Sequence, residues 1–426
     1  MGGCGLKVPV NPPPDTFQVM AKPSGASCNL QCQYCFYLDK EHRFSSGGNP
    51  RMTEGVLATY VRQQIEFQRG SPVNFTWQGG EPTLLGVDFF ENAVALQRRY
   101  AGARAIVNTF QTNGTLLDDT WGRFLKRENF LVGLSLDGPA PLHDLYRTSK
   151  GGQATFDQVM RGLQVLKKHG VEFNILTVVH RESALQPSEV YRFLKQAGGR
   201  FLQFIPLVER LPAVSDRERG LRVAPPTQSG KPNSEGAAVS PWSVRAEDYG
   251  EFLMSVFDEW VTRDVGRIFV QLFDTCLGIW MGQPASLCLF REKCGDAVVL
   301  EPNGDVFSCD HFVYPEYRIG NLLERGLGDL VRSPPQRAFG DAKSGTLPRQ
   351  CRTCDVRFAC QGECPKNRFL ATAEGEPGLN YLCAAYQRFF HHVNPSMRIM
   401  AYLALNRRPP AEIMSLETER CGAPVP

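Results

Sequence analysis

The sequence lacks the features that mark membrane, exported and fibrous proteins. No apolar run in its 426 residues approaches the roughly 18–20 residues of a membrane-spanning helix. The N-terminal residues Met1–Pro14 lack the basic and then apolar pattern of a signal peptide. Charge of one sign is not in excess either, since 47 Lys and Arg nearly balance 44 Asp and Glu, and no basic block occurs. We therefore expect a cytoplasmic globular protein, with no membrane or nucleic acid as a partner.

Cysteine is the informative residue, although 14 cysteines are too few for a disulfide scaffold of this length. Clustered thiols in a reducing compartment bind metal more often than they form disulfides. One cluster of three lies near the N-terminus, and a second cluster of eight runs from Cys288 to Cys383. Cys4, Cys276 and Cys421 stand apart, and we assign them no chemistry.

Short apolar stretches alternate with helical patterns along the first part of the chain, and each is typical of a strand buried on both faces. Strands are expected at Thr16–Lys22, Val73–Trp77, Ala105–Gln111, Phe130–Leu136, Val171–Val179, Phe201–Leu207 and Arg267–Phe273. Helices are expected at Thr53–Arg69 and Ala246–Arg263, and Thr155 to Gln158 has the sequence of a capping box that starts another helix. The alternation predicts a parallel sheet with helices outside it, either open or closed like a barrel.

Composition suggests how the chain is divided. Residues from about 209 to 242 are rich in Pro, Ser, Gly and charge, which is typical of an insertion loop. The Cys-rich region has few periodic apolar stretches, so we expect its thiols to stabilise it through metal. The expected parts are an N-terminal segment 1–15, a parallel-sheet domain 16–275 containing the insertion, a Cys-rich domain 276–390 and a C-terminal segment 391–426.

The first cysteine cluster, Cys28-x3-Cys32-x2-Cys35, follows the first expected strand. Three thiolates at this spacing can bind three irons of a [4Fe–4S] cluster and leave the fourth iron open to a cofactor or substrate. The alternative is a structural zinc site, which needs four ligands and could use His42 as the fourth.

Further segments give this cluster a context, because they occur in order at the ends of the expected strands. They are Cys28–Tyr37, Trp77–Pro82, Gln111–Gly114 and Ser135–Gly138. Together they resemble the radical S-adenosylmethionine superfamily. The resemblance implies a partial (β/α)6 TIM-like barrel whose open iron chelates S-adenosylmethionine, the source of a 5′-deoxyadenosyl radical. The cofactor contacts that it implies are Tyr34, Gly79, Gly80, Glu81, Ser135 and Arg161. Arg161 could equally be a solvated helix residue.

The second cluster contains eight thiols, enough for two sites of four. On spacing alone, two four-cysteine zinc sites are the alternative, because Cys-x2-Cys is common to zinc and iron. After a radical S-adenosylmethionine site, however, the pattern resembles the SPASM domain, which carries two fully ligated auxiliary [4Fe–4S] clusters and so brings the expected total to three. The family pattern implies Cys288, Cys294, Cys309 and Cys364 for the first auxiliary cluster and Cys351, Cys354, Cys360 and Cys383 for the second.

The resemblance to anaerobic sulfatase-maturating enzymes extends from Ala21 to about His391 and includes Phe173–Leu176, Phe201–Ile205 and Ser308–Phe312. These enzymes oxidise one Cys or Ser of a nascent sulfatase to Cα-formylglycine. The implied partners are an unfolded or nascent sulfatase with a Cys/Ser-x-Pro/Ala-x-Arg segment and a flavodoxin- or ferredoxin-like electron donor.

The same resemblance assigns roles to three further residues. Asp310 would remove the thiol or hydroxyl proton of the target, and the first auxiliary cluster would accept the second electron. Tyr37 and Gln111 would face the peptide channel. Without the family match, Asp310 could be a turn or cap residue, and Tyr37 and Gln111 could simply pack in the mouth of the barrel.

Two other functions stay open at this point. Another SPASM enzyme could crosslink or epimerise a ribosomal peptide, although such enzymes often carry an N-terminal recognition domain and only about 27 residues precede Cys28. A non-catalytic zinc or iron–sulfur scaffold would not cleave S-adenosylmethionine. The sequence does not separate Cys-type from Ser-type sulfatase substrates.

Overall fold

The computed structural model describes residues 17–37, 40, 51–68, 72–218, 220–226 and 238–416. The expected N-terminal segment 1–15, His42, Cys4 and Cys421 lie outside the described residues. The described strands are β1 Gln18–Ala21, β2 Val73–Trp77, β3 Ile106–Thr112, β4 Leu131–Ser135, β5 Phe173–Val179, β6 Phe201–Pro206, β7 Phe269–Val270, β8 Ala297–Leu300, β9 Asp305–Phe307, β10 Arg318–Asn321, β11 Leu370–Ala371 and β12 Pro377–Leu379.

The helices alternate with the first strands, as the sequence pattern predicts. The α-helices are α1 Glu54–Phe67, α2 Val87–Ala101, α3 Asp119–Arg127, α4 Ala140–His143, α5 Phe156–His169, α6 Pro187–Gln196, α7 Val214–Glu218, α8 Ala246–Arg263, α9 Gln271–Trp280, α10 Leu327–Val331, α11 Pro334–Gly345, α12 Arg349–Arg352, α13 Arg357–Cys360 and α14 Cys383–Leu405. Short 3₁₀ turns occur at Pro82–Leu85, Ser183–Leu185, Cys288–Phe290, Asp310–Phe312, Pro315–Tyr317, Pro365–Asn367 and Pro410–Glu412. Among the described residues, no helix is long and apolar enough to cross a membrane.

Strands β1 to β7 lie side by side in chain order, and every neighbouring pair is parallel. Helices connect β1 through β6, because parallel neighbours need a crossover connection. Strand residues such as Val19, Phe75 and Val132 are almost completely buried, and the Phe75 ring contacts that of Tyr60 on α1. This is the β/α arrangement that the sequence predicts, and it brings the C-terminal ends of the strands to one edge of the sheet, where β/α enzymes place their sites.

The Cys-rich region continues the same sheet rather than forming a separate one. β8 pairs in parallel with β1, with Ala21 opposite Leu300, and β9 and β10 follow in antiparallel order. The Lys22 N–H donates to the carbonyl of Leu300 at 2.8 Å. Lys22 and Glu301, the next residue on each strand, therefore leave the sheet side by side, and both are buried.

Helix α14 closes this arrangement on the outside. It packs mainly against α8 and also against α9, with the ring of Phe389 stacked 5.9 Å from that of Phe273. The helix begins at Cys383 and ends at Leu405, so it runs across the boundary expected at residue 390. One of the cysteines expected to bind iron thus begins a helix that is anchored on the barrel helices.

Two local predictions are wrong. The residues from Gln271 to Phe273 are helical rather than extended, because Leu272, Phe273 and Cys276 lie buried on one side of α9. Thr155 does not cap α5 with its side chain, since its hydroxyl donates to the carbonyl of Arg147. The side chain of Asp144, in the preceding turn, caps the helix instead. Its Oδ1 accepts hydrogen bonds from the N–H groups of Thr155 and Phe156, each at 2.8 Å.

The described ends of the expected insertion are packed against the rest of the protein. Arg210 and Val239 form an isolated antiparallel bridge. The buried Glu209 carboxylate pairs with the Lys366 ammonium of the Cys-rich region at 2.5 Å. The two ends of the insertion therefore lie beside the Cys-rich region.

Helix α5 approaches the loop after β3 so closely that only glycine fits at Gly162. A Cβ there would lie 2.1 Å from the carbonyl oxygen of Gly114. Gly162→Ala should therefore destabilise the fold by about 1–3 kcal/mol. Thermal unfolding should show the loss, whereas Gly345→Ala, at a helical glycine with open space around its Cβ position, should stay within about 1 kcal/mol of wild type. Equal unfolding temperatures for the two variants would contradict this account.

Candidate active site

The three-cysteine loop after β1 is bound to a second loop on the same side of the barrel. Gln31 and Gln33 donate their N–H groups to the carbonyls of Thr148 and Tyr146, at 2.8 and 2.9 Å. Burial, with smaller contributions from Glu81 and the other two thiols of the loop, raises the pKa of Cys28 to about 12. The structure thus brings the thiols of Cys28, Cys32 and Cys35 together, and binding to iron would offset the cost of ionising them there.

The Gly79–Glu81 segment at the end of β2 lies against this loop. Gly80 donates its N–H to the carbonyl of Gly25 at 2.7 Å, and Glu81 donates to that of Ser27 at 2.8 Å. A Cβ on Gly80 would lie 2.1 Å from the Ser27 oxygen. The close approach of two backbones therefore requires glycine here.

The Glu81 side chain is fully buried and is engaged within the protein. Its carboxylate accepts hydrogen bonds from the N–H and hydroxyl of Thr83, the hydroxyl of Thr112 and the N–H of Asn113, at 2.6–3.0 Å. Burial raises the pKa of Glu81, although these hydrogen bonds oppose the shift. Glu81 thereby joins the ends of β2 and β3, and Asn113 Nδ2 reaches Cys28 Sγ at 3.8 Å.

Tyr34 anchors the cysteine loop to the rest of the barrel through hydrogen bonds of its hydroxyl group. Its hydroxyl donates to Asp137, and the Arg147 guanidinium donates to the Tyr34 oxygen at 2.8 Å. All three side chains are buried, and Arg147 lies 3.8 Å from the Asp137 carboxylate. The hydroxyl of Tyr34 is therefore occupied, which leaves its ring and backbone for a cofactor. Sequence reasoning missed Arg147, for which no local pattern gave a signal.

Gln111 and Ser135 meet at the ends of two adjacent strands. The Gln111 amide donates to the Ser135 hydroxyl at 3.0 Å. Both side chains are partly buried at the edge where the cysteine loop lies. Arg161, in contrast, is exposed on α5, and among the described residues it makes no ion pair. The structure brings the first two predicted residues together but leaves Arg161 on the helix surface.

Asp310 follows Cys309 and points at a lysine from the first strand. Lys22 Nζ lies 2.6 Å from Asp310 Oδ1 in a nearly buried ion pair. Burial alone would raise the pKa of Asp310, but Lys22 and the other cations nearby outweigh it and bring this pKa below its ordinary value. Asp310 is therefore a carboxylate at neutral pH.

Tyr37 lies beside this ion pair. The Lys22 ammonium sits 4.4 Å from the centre of the Tyr37 ring, and the Tyr37 hydroxyl donates to Glu301. Burial raises the pKa of Glu301 to about 7. Lys40 is buried 5.0 Å from the same ring, and burial lowers its pKa to about 8.

Sequence reasoning missed Lys22, Lys40 and Glu301. Lys22 offered one signal, because it is the last residue of an expected strand and lies at the edge where sites form. No sequence signal pointed to Glu301, because only the pairing of β8 with β1 places it beside Lys22.

The Cys-rich region gathers its thiols into two sets. Burial raises the pKa of Cys364, and Glu363 and the thiols of Cys309, Cys294 and Cys288 raise it further. These four cysteines are therefore neighbours, and we call them set one. Cys309 directly precedes Asp310, so set one adjoins the Lys22–Asp310 pair.

The remaining four cysteines, set two, surround a small cavity. Its lining includes Cys351, Cys354, Cys360 and Cys383. Burial raises the pKa of Cys383 to about 11, with Cys351 and Cys354 contributing. Cys276 belongs to neither set and is buried in the hydrophobic core on α9.

Both sets fit iron–sulfur clusters in their donor chemistry, because thiolates are the usual ligands of such clusters. Two buried cations, Lys343 and Arg368, lie within electrostatic reach of set one, and Arg368 also reaches Cys351 of set two. Positive charge at this depth suits a cluster that is anionic with its four thiolates. Among the described residues, no group of His, Cys, Asp and Glu is arranged to hold a single metal ion.

Family models match both halves of the chain. The Radical SAM superfamily model matches residues 23–194, and the SPASM model, described as an iron-sulfur cluster-binding domain, matches residues 288–355. The serine-type anaerobic sulfatase-maturating enzyme of Bacteroides thetaiotaomicron is 46% identical over 396 residues, which cover 93% of this chain and 94% of that protein. The cysteine-type enzyme of Clostridium perfringens is 33% identical over 386 residues, 89% of this chain and 96% of that protein.

Solved structures agree with this relationship. Native anSMEcpe with bound AdoMet and Cp18Cys peptide superimposes with a TM-score of 0.77 at 32% identity, covering 90% of this chain and 98% of that one. Streptococcus suis SuiB bound to precursor peptide SuiA matches with a TM-score of 0.56 at 16% identity, covering 86% and 76%, and shows the fold alone. The predicted partial barrel with a SPASM domain is therefore confirmed.

These matches exclude the non-catalytic scaffold and favour iron–sulfur over zinc chemistry. They also confirm the use of S-adenosylmethionine and iron–sulfur cofactors at the level of the family. The chain belongs to the anaerobic sulfatase-maturating enzymes, a family of radical S-adenosylmethionine enzymes with a SPASM domain.

Proposed function

We propose that this enzyme oxidises one Ser or Cys in a Cys/Ser-x-Pro/Ala-x-Arg segment of an unfolded or nascent sulfatase to Cα-formylglycine. The observation that carries the proposal is the nearly buried ion pair between Lys22 and Asp310, which lies beside set one and next to Tyr37. An ionised carboxylate in a site of low water content is a suitable proton acceptor.

Three [4Fe–4S] clusters and S-adenosylmethionine are the cofactors of the proposed reaction. Cys28, Cys32 and Cys35 would hold the cluster with the open iron, and sets one and two would hold the auxiliary clusters. When bound, these groups supply the 5′-deoxyadenosyl radical that removes a hydrogen atom from the target Cβ, and an acceptor for the second electron. A flavodoxin- or ferredoxin-like protein would provide the starting electron.

The cofactor would bind at the C-terminal ends of β2 and β4. The N–H groups of Gly80 and Glu81 already donate to the cysteine loop. Carbonyl oxygens of Gly79–Glu81 would therefore bind the ammonium of the methionine moiety, which is a donor. The Ser135 hydroxyl accepts from Gln111 and keeps its own proton for a ligand oxygen. Tyr34 would contribute its ring and backbone, and Arg161 would have to turn from the surface to reach the carboxylate.

The protein handles the proton of the reaction. Oxidation of the target removes a hydrogen atom from Cβ, a proton from the hydroxyl or thiol, and one electron. Asp310 would accept that proton, and Lys22 holds the Asp310 carboxylate in place and ionised beforehand. Tyr37 and Gln111 would line the channel that holds the peptide. A cysteine target gives a thioaldehyde, which water converts to the aldehyde.

Of the two target residues, serine and cysteine, we favour serine. Relatives named serine-type are 46%, 36% and 35% identical to this chain, whereas the relative named cysteine-type from Clostridium perfringens is 33% identical. The preference rests on this relatedness, and cysteine remains the second target to test.

The direct test uses matched peptides with Ser-x-Pro-x-Arg and Cys-x-Pro-x-Arg segments. Reconstituted enzyme with reductant and S-adenosylmethionine, kept free of oxygen, should convert the serine peptide to an aldehyde that traps a hydrazine, as mass spectrometry would show. An alanine peptide is the control. Formation of 5′-deoxyadenosine with both peptides unchanged would keep the radical chemistry and overturn the substrate assignment.

Asp310→Asn removes the proton acceptor but keeps the size of the side chain. Iron content and binding of S-adenosylmethionine should stay at wild-type level, while aldehyde formation falls by about 10²–10⁴-fold, the usual contribution of a general base. Lys22→Met should lower the same step, because Asp310 loses its partner. Asp341→Asn, at an exposed carboxylate on α11, is the control. An unchanged aldehyde yield in Asp310→Asn would show that another group takes the proton.

A further inference from the structure

Two buried cations lie beside the auxiliary cysteine sets. Lys343, on α11, is completely buried. Its ammonium donates to the carbonyl oxygens of Cys288 and Leu289 at 2.7 and 2.8 Å. It also interacts electrostatically with the thiols of Cys294 and Cys364. Lys343 is therefore a charge placed against set one.

Arg368 occupies a position between the two sets. Its side chain is buried, and its guanidinium donates to backbone carbonyls, among them those of Gly362 at 2.8 Å and Glu363 at 3.0 Å. The same guanidinium interacts electrostatically with Cys364 of set one and Cys351 of set two. Arg368 thus adds a second positive charge that both sets share.

Neither cation forms an ion pair with a carboxylate in the described part of the chain. The buried carboxylate of Glu363, which accepts hydrogen bonds from the amides of Asn367 and Asn380 at 3.1 and 2.6 Å, interacts electrostatically with both cations. One carboxylate cannot neutralise two cations, and a buried positive charge that is not fully compensated is unfavourable. The further anions that can compensate the remaining charge are the thiolates of the two sets together with the clusters that they would hold.

We propose that Lys343 and Arg368 are positioning residues that raise the reduction potential of the auxiliary clusters, with Lys343 acting on the cluster of set one. Reduction adds one negative charge to a cluster, so a fixed positive charge nearby stabilises the reduced state. This makes set one, which adjoins Asp310, a better acceptor for the electron that leaves the substrate. The inference rests on the cluster-binding part of the proposed function.

Two neutral variants of Lys343 test the proposal. Lys343→Gln keeps a donor for the carbonyls but removes the charge, and Lys343→Met removes both. Arg337→Gln, which removes a positive charge from the exposed face of the same helix, is the matched control. The clusters of the full-length reconstituted chain are followed by redox titration with electron paramagnetic resonance, in a background of Cys28→Ala, Cys32→Ala and Cys35→Ala that leaves only the auxiliary signals.

Both neutral variants should shift the midpoint potential of one auxiliary cluster to more negative values and leave the other closer to wild type. Arg337→Gln should leave both unchanged, since water screens its charge. Wild-type potentials in Lys343→Gln would overturn the proposal, because Lys343 would then act only as a hydrogen-bond donor. A parent chain that binds no iron in these sets would instead refute the proposed function.

A second measurement decides the question if a variant does not retain iron. The thermal unfolding of the full-length chain is then compared after iron chelation. Without clusters, Lys343 keeps only the Glu363 carboxylate as a nearby counter-charge, which it shares with Arg368, so Lys343→Met should be at least as stable as the iron-free wild type. Lower stability in both neutral variants would show a packing or hydrogen-bond role and overturn the proposal.

Discussion

The parallel pairing of β8 with β1 is the constraint on which the site depends. It extends the barrel sheet into the Cys-rich region, so that the two halves of the chain share backbone hydrogen bonds. Lys22 and Glu301 leave adjacent strands in the same direction. β9 then runs antiparallel to β8, and Asp310, in the turn that follows this strand, lies against Lys22. The register between β1 and β8 therefore determines how the three-cysteine loop and set one are placed relative to each other.

The protein also buries several charged side chains, and their charges are compensated in different ways. Glu81 is stabilised by four hydrogen bonds, and Asp137 by Tyr34 and Arg147. Lys22 and Asp310 compensate each other. Lys343 and Arg368 share one nearby carboxylate, that of Glu363, and they lie beside thiols. A polar interior of this kind is stable only when its partners are in place, so we expect the Cys-rich region to be less stable without its clusters.

The sequence predicted the parts of this structure that local pattern determines. Strand and helix alternation gave the parallel sheet, and cysteine spacing with the ordered glycine segments gave the family. The Lys22–Asp310 pair could not be predicted, because it joins residues almost 290 positions apart through the pairing of β8 with β1. Thr155 was assigned as a cap from a four-residue pattern, but Asp144 competes successfully because the turn before α5 folds back onto the helix start. The cofactor role of Arg161 rested only on the resemblance, and the exposed helix position that the structure gives it is the alternative that the sequence had left open.

The depressed pKa of Asp310 looks unfavourable for a base, since a weakly basic carboxylate cannot remove a proton from an ordinary alcohol. The order of events in the proposed reaction removes the difficulty. A hydroxyl or thiol attached to a carbon radical is much more acidic than the same group on the intact side chain, because losing the proton lets the oxygen or sulfur share the unpaired electron. Asp310 therefore needs to act only after the hydrogen atom has left Cβ. A weak base held ionised by Lys22 is then suited to the task, because it leaves the intact target protonated until the radical forms.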